Sequence, residues 1–488
     1  MDPAQFMTRA EAFCRAMGAE HYLVGAGLKA ELVISPIYEE YVALFEGERF
    51  EEARTWDLEP TEERYVLEFI ASNYLGRATK ELHERVSAVE AAATIEWDEH
   101  PVAYREAPGL IANEADAVRR HELERRYLEV MATMNPPLEE AEKRAQREAR
   151  GFGYQDYVGL FDELRALELS ELSTQMQGFI AQTDALYLAA LDTYLSEMRI
   201  LRDDARRCDL QRIFRAPHVD LYFPQDRMLP ALHATMRDFG ILLEDQANVK
   251  LDVEPRPLKS PRAFCCPVSV PSDIRLVMKP SGGAQDYETL LHEAGHLEHY
   301  ANIDRTLPFA YRWLGDSALT EGYAFLFEYL LSDPAWLRYR IGMAQSVEYL
   351  RLIGFHKLYF LRRYGAKILY EQELHRADDP TDVAPLYDEM LSRALGVEYG
   401  TESYLTDVDA GFYAAEYLRA WIFEVQLRRY LQREFDDEWY RNPRTGKFLR
   451  ELWHDGQRHP VQQLVRFMGY DGLDLRLLAD DIQLLMGA

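Results

Sequence analysis

Apolar residues recur at helical spacing through the first 150 residues of this chain, where glycine and proline are scarce. Within residues 63–75 the apolar stripe is formed by Tyr65, Val66, Phe69, Ile70 and Tyr74. Such a stripe, backed by charged and polar neighbours, is typical of a helix that packs on one side. A second helical stretch covers residues 157–212. The spacing therefore predicts a mostly α fold.

The clearest break in the first third of the chain is glycine-rich, at residues 151–154. Glycine and proline punctuate helices, so this break is the best candidate for a domain boundary. We expect an N-terminal helical lobe over residues 1–155 and a second helical region over residues 156–488.

Charge and composition exclude several classes of partner. The 488-residue chain carries a formal net charge of −28 at pH 7. An acidic surface repels nucleic acid and anionic membranes, so we expect neither as a partner. No apolar window reaches about 18 residues and no apolar segment lies near the N-terminus, which predicts a cytoplasmic protein. Four scattered cysteines are too few for a disulfide framework and are taken as structural.

The clearest strand signal lies in residues 263–278, where two short β-rich runs flank a Pro-Ser-Asp turn. They predict a small β element at about residues 259–280. A strand here would lie just before the motif described next, and an edge strand can hydrogen-bond an extended peptide. A purely structural ribbon fits the same residues equally well.

A His-Glu-x-x-His motif occupies residues 292–296, in a stretch with helical spacing. At about 100° per residue, His292 and His296 lie one turn apart on one helix face, with Glu293 beside them. Neutral imidazoles suit Zn²⁺, and the neighbouring carboxylate can take a proton from a metal-bound water. A pair of histidines that simply face water would give the same spacing.

A catalytic zinc site needs a third protein ligand. His299 faces the same way as the motif, but it lies about 10 Å along the helix from His292, too far for one ion. Glu321 is the stronger candidate, because its run is apolar on nearly every side and a buried carboxylate needs a partner. Glu328, two turns on, is placed to hold a ligand histidine in the correct tautomer. The alternative is a half-exposed helix with two ordinary acids.

A pair of tyrosines follows a loop that ends at Gly411. Tyr413 and Tyr417 are one helical turn apart on one side of the predicted helix. Tyrosine hydroxyls can donate to the oxyanion that forms when water adds to a carbonyl. Core or helix-contact residues show the same spacing, so the residues alone leave both interpretations open.

These stretches together resemble the thimet oligopeptidase and oligoendopeptidase F family of zinc peptidases. Residues 259–265 look like the family's Gly-Ala-aromatic-Cys strand, and residues 287–299 look like its Thr-Leu-x-His-Glu-x-Gly-His helix. The two downstream carboxylates stand at the family's distances from the motif. Residues 409–413 with Tyr417 resemble the segment that supplies the family's transition-state tyrosines, in its oligoendopeptidase F version.

Two positions depart from the family pattern. Thimet-like members carry a histidine six residues before the counterpart of Asp409, but this chain has Ser403 there, with Tyr404 adjacent. The later tyrosine of those members falls on Ala415, so Tyr417 takes its place. Tyr404 is retained as a candidate for substrate binding.

The resemblance implies a mostly helical, two-lobed fold with a central channel and a small β element beside the zinc helix. It implies one Zn²⁺ per chain, held by His292, His296 and Glu321. Glu293 would act as general base, and Tyr417, with Tyr413 as second choice, would stabilise the oxyanion. Substrates would be short unfolded peptides cleaved at internal bonds.

Two alternatives stay open from the residues. Zinc carboxypeptidases of similar length also use this motif on helical folds, and Arg419 could bind the terminal carboxylate of a substrate. The other alternative is a helical scaffold or peptide-binding protein without catalytic activity.

Overall fold

The computed structural model describes residues 1–487 and confirms a mostly α fold with small β elements. In the first half the helices are α1 (Pro3–Gly25), α2 (Ser35–Glu40), α3 (Gly47–Ala53), α4 (Pro60–Ala92), α5 (Ala107–Asn113), α6 (Ala117–Ala132), α7 (Asn135–Ala149), α8 (Tyr157–Arg165), α9 (Leu169–Glu197), α10 (Arg207–Arg215) and α11 (Met228–Asp238). In the second half they are α12 (Ala284–Asn302), α13 (Phe309–Trp313), α14 (Ser317–Glu328), α15 (Pro334–Trp336), α16 (Val347–Leu374), α17 (Ala384–Leu395), α18 (Tyr413–Glu434), α19 (Pro443–His454), α20 (Val461–Phe467) and α21 (Leu475–Met486). None of the helices in the described part of the chain combines the length and apolar character needed to cross a membrane.

Five short strands form two sheets: β1 (Thr94–Trp97), β2 (His100–Ala103), β3 (Val249–Asp252), β4 (Phe264–Ser269) and β5 (Asp273–Val277). The predicted hairpin is present as β4 and β5, which pair antiparallel with Phe264 opposite Val277, and β3 pairs in parallel with the other side of β5. The sequence did not predict the β1–β2 hairpin. Its turn residues, Asp98 and Glu99, have positive φ values of 48° and 66°. Glycine or asparagine usually marks such a turn in a sequence, and neither residue is present here.

The chain forms two compact units, each built from separate stretches. Unit 1 contains Met1–Ile70, His218–Ile353 and the chain from Glu416 onward, and unit 2 contains Ala71–Pro217 and Gly354–Ala415. Residues 1–155, expected to form one N-terminal lobe, contribute to both units. The chain passes from one unit to the other at four points, and three of these lie inside helices, namely α4, α16 and α18.

The core of unit 1 is built around α14, whose residues from Ala318 to Phe327 are all buried. Its aromatic side chains meet rings from other parts of the unit: the Tyr323 ring lies 5.9 Å from that of Phe423, and the Phe327 ring lies 5.4 Å from that of Phe239. This burial follows from a sequence that is apolar on nearly every side of the helix. It also carries Glu321 into a region that is poor in water.

Two glycines allow the helices around α14 to approach closely. A Cβ added to Gly295 on α12 would lie 2.5 Å from Cα of Ala324 and 2.6 Å from the carbonyl oxygen of Tyr323, both on α14. A Cβ added to Gly322 on α14 would overlap the Phe423 ring of α18. Glycine inside a helix costs about 1 kcal/mol relative to alanine. At Gly295 that cost is offset by the close packing of the α12 and α14 backbones.

Unit 2 has a core of its own, in which the β1–β2 hairpin packs with α5 and α6. Its buried members include Ile95, Ile111 and Leu123. Cys208 lies in the same cluster. Its thiol is free, and so are those of the three other cysteines, which lie elsewhere in the chain.

Candidate metal centre

Three side chains of unit 1 converge between α12 and α14. The carboxylate oxygen Oε2 of Glu321 lies 3.3 Å from Nε2 of His292 and 3.5 Å from Nε2 of His296. All three side chains are largely buried. Two helices that touch at Gly295 thus bring together three possible ligand atoms from two separate elements.

The spacing of these atoms fits a tetrahedral metal ion. Zinc bonds of about 2.0–2.1 Å at tetrahedral angles hold neighbouring ligand atoms about 3.3–3.4 Å apart. The two distances from Glu321 to the imidazole nitrogens, 3.3 and 3.5 Å, lie close to that value. Three protein ligands are also the number found in catalytic zinc sites, which keep a further position for water or substrate. The residues present therefore fit a metal ion.

The second nitrogen of each imidazole has its own partner. Nδ1 of His292 lies 2.9 Å from Oε2 of Glu328, and Nδ1 of His296 lies 2.9 Å from Oγ1 of Thr320. Because an ionised carboxylate only accepts, His292 donates its Nδ1–H to Glu328 and keeps the lone pair of Nε2 for the centre. The ring is thereby held in the tautomer that can bind a metal.

The electrostatics of the group favour positive charge at the centre. Burial alone would lower the pKa of His292, but the carboxylates of Glu321 and Glu328 raise it well above its ordinary value. Burial would raise the pKa of Glu321, yet the two imidazoles bring it well below its ordinary range. Each group thus prefers the state in which a positive charge lies between them, and a divalent cation supplies such a charge.

Glu293 is held beside the ligand pair by the hairpin. Its Oε2 accepts a hydrogen bond of 2.6 Å from the backbone N–H of Cys265 in β4, one of the two edge strands of the three-stranded sheet. Burial raises the pKa of Glu293 above its ordinary value, although the neighbouring histidines oppose this shift. A carboxylate with a raised pKa is a better proton acceptor near neutral pH. Strand β4 is therefore part of the candidate centre.

The two predicted tyrosines lie in different parts of α18. Tyr417 belongs to unit 1, and its ring lies 6.0 Å from that of Phe325, which in turn lies 5.0 Å from the ring of His292. Tyr413 is the first residue of the helix and belongs to unit 2. Tyr417 is thus linked to the centre through one aromatic contact, and the role of both hydroxyls stays a prediction.

Arg419 lies in a buried ion cluster of unit 1. Its guanidinium donates to both carboxylate oxygens of Asp316, at 2.9 and 3.0 Å, and also to Glu416. Asp316 caps α14 by accepting from the backbone N–H of Ala318 at 3.1 Å. The guanidinium expected to meet a substrate carboxylate therefore faces carboxylates of its own chain.

Tyr404, the other candidate for substrate binding, is buried in unit 2. Its hydroxyl donates a hydrogen bond of 2.7 Å to Oε1 of Glu139. Its neighbour Ser403 is also buried and accepts from Arg207 at 2.8 Å. The polar groups of this segment thus have partners within unit 2.

His299, considered as a third ligand, lies outside the metal group. It is fully buried, with its ring 5.2 Å from that of Tyr300 and 5.0 Å from that of Tyr323. Burial lowers its pKa to about 3, so the ring stays neutral. One further helical step along α12 therefore places this histidine in the core of unit 1.

A second group with metal-binding residue types lies in unit 2, formed by His121, Cys208 and Asp209. Here Asp209 accepts from Nε of Arg120 at 3.0 Å, from Nη2 at 2.5 Å, and from the backbone N–H of Arg206 at 2.8 Å. Burial raises the pKa of the Cys208 thiol, which keeps it protonated. Since the guanidinium already supplies the positive charge, this group does not fit a metal ion.

Two parts of the centre were missed by reasoning from the sequence. Thr320 is a polar residue in an apolar run, directly before Glu321, and a buried hydroxyl needs a partner. The sequence therefore contained a signal for Thr320. It contained none for the N–H of Cys265, because every residue other than proline has a backbone donor.

The sequence matches no protein-family model and no curated protein.

Proposed function

We propose that this protein is a zinc-dependent peptidase that hydrolyses internal bonds of short, unfolded peptides. The observation that carries the proposal is the meeting of His292, His296 and Glu321 at ligand spacing, with the carboxylate of Glu293 beside them. The resemblance to thimet oligopeptidase and oligoendopeptidase F supports the same chemistry.

In this proposal the three ligands would hold Zn²⁺, which when bound lowers the pKa of a water molecule and polarises a carbonyl. Glu293 accepts the proton of the attacking water and passes it to the leaving amine, so that the amine departs neutral. The N–H of Cys265 holds one carboxylate oxygen of Glu293. We assign the proton transfer to the other oxygen, Oε1, because the bond to Cys265 fixes the orientation of the carboxylate.

The remaining step is stabilisation of negative charge on the substrate carbonyl oxygen. We assign a hydrogen bond from the Tyr417 hydroxyl to this role, with Tyr413 as second choice. The ring of Phe325 contacts both the Tyr417 ring and the His292 ring, which supports this assignment. The charge of −28 is consistent with the expected lack of nucleic-acid partners.

The surroundings of Arg419 favour the endopeptidase over the carboxypeptidase alternative. A carboxypeptidase needs a cation that meets the terminal carboxylate of its substrate. Arg419, the residue considered for that task, is buried and bound by Asp316 and Glu416. An internally quenched peptide blocked at both ends separates the two activities, because only an endopeptidase cleaves it.

The variant Glu293→Gln tests the proposal. The amide oxygen of glutamine still accepts from the Cys265 N–H, and residue 293 is no ligand, so fold and metal content should be unchanged. Hydrolysis of the blocked peptide should fall by about 10²–10⁴-fold, the usual contribution of a general base.

Glu451→Gln is the matched control, because Glu451 lies exposed on α19 and makes only a long surface pair with Lys447 at 3.7 Å. It should behave like the wild type in both measurements. Wild-type turnover by Glu293→Gln would refute the base assignment. A purified protein without stoichiometric zinc, measured by mass spectrometry, would remove the peptidase proposal as a whole.

A further inference from the structure

The backbone turns sharply just before α18. Gly411 and Phe412 have φ values of 63° and 60°, so two consecutive residues lie in the left-handed region. Glycine adopts this region freely, but phenylalanine does so at a cost, and such strain persists only where the surrounding structure imposes it. Tyr413, the first residue of α18, follows directly. The two left-handed residues therefore set where α18 begins.

Two side chains of unit 2 hold the backbone of residues 409–412. The N–H of Gly411 donates to the hydroxyl oxygen of Tyr157 at 2.9 Å, and the N–H of Asp409 donates to Oε1 of Glu371 at 2.8 Å. The acceptors come from separate helices, α8 and α16. Both acceptor side chains are buried, so water does not compete strongly for either bond. The segment is thus fixed at two backbone positions.

The side chains of the segment contact the same face of α16. The carboxylate of Asp409 accepts from Nζ of Lys367 at 2.6 Å, one turn before Glu371. The Phe412 ring is fully buried and lies 5.1 Å from the ring of His375, one turn after Glu371. Residues four apart lie on one face of a helix. Three successive turns of α16 therefore hold residues 409–412.

We propose that Tyr157 and Glu371 are positioning residues, which hold residues 409–412 in one conformation and so fix the first turn of α18. In the proposed peptidase this turn begins with Tyr413, and Tyr417 follows one turn later on the same helix. The two positioning residues would then act on stabilisation of the oxyanion through the start of α18. This catalytic part rests on the proposed function, whereas the conformational part concerns residues of unit 2 alone.

Amide hydrogen exchange of the full-length protein, resolved at residues 409 and 411 by mass spectrometry, measures how firmly the segment is held. Tyr157→Phe keeps the ring but removes the acceptor of the Gly411 N–H. Exchange at residue 411 should become about 10–100-fold faster, as expected when a buried donor loses its acceptor. Glu371→Met should have the same effect at residue 409. Glu371→Gln keeps an acceptor oxygen and should exchange at the wild-type rate.

Peptide hydrolysis measures the catalytic part. Tyr157→Phe and Glu371→Met should lower kcat by up to about 10²-fold with little change in KM or zinc content, as when a remote change misplaces a catalytic group. Glu371→Gln should restore kcat. In a protein that already carries Tyr413→Phe and Tyr417→Phe, both changes should have almost no further effect, because changes that act through one group are not additive.

Tyr187→Phe is the matched control. Tyr187 is fully buried in unit 2, and its hydroxyl donates to the carbonyl oxygen of Leu395 at 3.0 Å. This variant also loses one buried hydrogen bond, but exchange at residues 409 and 411 and kcat should stay at the wild-type values. Thermal unfolding identifies any variant that fails to fold. If Glu371→Met does so, Tyr157→Phe, which removes a single oxygen atom, decides the test.

The wild-type exchange rate at residue 411 in Tyr157→Phe would overturn the inference. Equal losses of kcat with and without the two tyrosine hydroxyls would overturn its catalytic part, because the variants would then act through general stability. The proposed function fails separately. A wild-type protein that cleaves no peptide would remove the peptidase, and the exchange rates alone would then decide whether Tyr157 and Glu371 hold the start of α18.

Discussion

Replacing Gly295 by alanine tests whether the contact between α12 and α14 creates the metal centre. The new Cβ would lie 2.5 Å from Cα of Ala324, and ordinary contact begins near 3.4 Å, so the helices must separate by up to 0.9 Å (3.4 − 2.5). The opposing atoms belong to the backbone and cannot rotate away. Ala324 is one helical turn from Glu321, so the carboxylate moves with it.

The consequence for metal binding follows from bond lengths. Zinc sites tolerate deviations of about 0.2 Å in ligand distance, so a displacement several times larger removes Glu321 from the ion. We expect zinc affinity to fall by at least about 10²-fold, the upper end of the effect of losing an orienting partner. Overpacking should also destabilise the fold by about 1–3 kcal/mol. Chelator competition measures the first effect and thermal unfolding the second.

Gly178→Ala provides the control for this variant. Gly178 lies inside α9, and a Cβ there would meet no atom within 4 Å. Alanine should stabilise the helix by up to about 1 kcal/mol and leave zinc affinity unchanged. If Gly295→Ala bound zinc as tightly as the wild type, backbone contact between the helices would not be what places Glu321 on the histidine pair.

Two further predictions concern catalysis and pH. Tyr417→Phe should lower kcat by about 10²–10³-fold with little change in KM, as for one lost oxyanion donor, and a wild-type kcat would transfer the role to Tyr413. Burial raises the pKa of Glu371 in unit 2 to about 8, and the charge of Asp409 adds to the shift while that of Lys367 opposes it. Folded Glu371 thus holds a proton that it releases near its ordinary pKa in the unfolded chain, so its contribution to stability is full below about pH 4.5 and is lost as the pH rises towards 8. Glu371→Gln cannot ionise and should show a flatter decline of Tm between about pH 5 and 8, whereas parallel curves for the two proteins would contradict the assignment.

The fold class and the main elements of unit 1 could be predicted from local patterns. Helical spacing marked the motif helix, the β-rich runs marked the β4–β5 hairpin, and an acid in an apolar run drew attention to Glu321. Each of these signals lies within one element, where side-chain periodicity reports which face is buried.

The features that escaped prediction depend on contacts between elements. The partner of His296 is Thr320 only because α12 and α14 touch at Gly295, which fixes their register. The Cys265 N–H reaches Glu293 only because the outer edge of the sheet faces α12. The boundaries of the two compact units could not be predicted from composition, because three of the four lie inside continuous helices.

The position of the ligands along the chain has a consequence for folding. His296 and Glu321 are 25 residues apart (321 − 296), with α13 between their helices. An ion bound by both closes a short loop of chain, which costs little entropy compared with a distant pairing. Such an ion would act as a cross-link between α12 and α14, and if it bound only the folded form, it would stabilise that form by RT ln(1 + [Zn²⁺]/Kd). The availability of metal would then govern how much of the chain stays folded as well as what the folded chain can do.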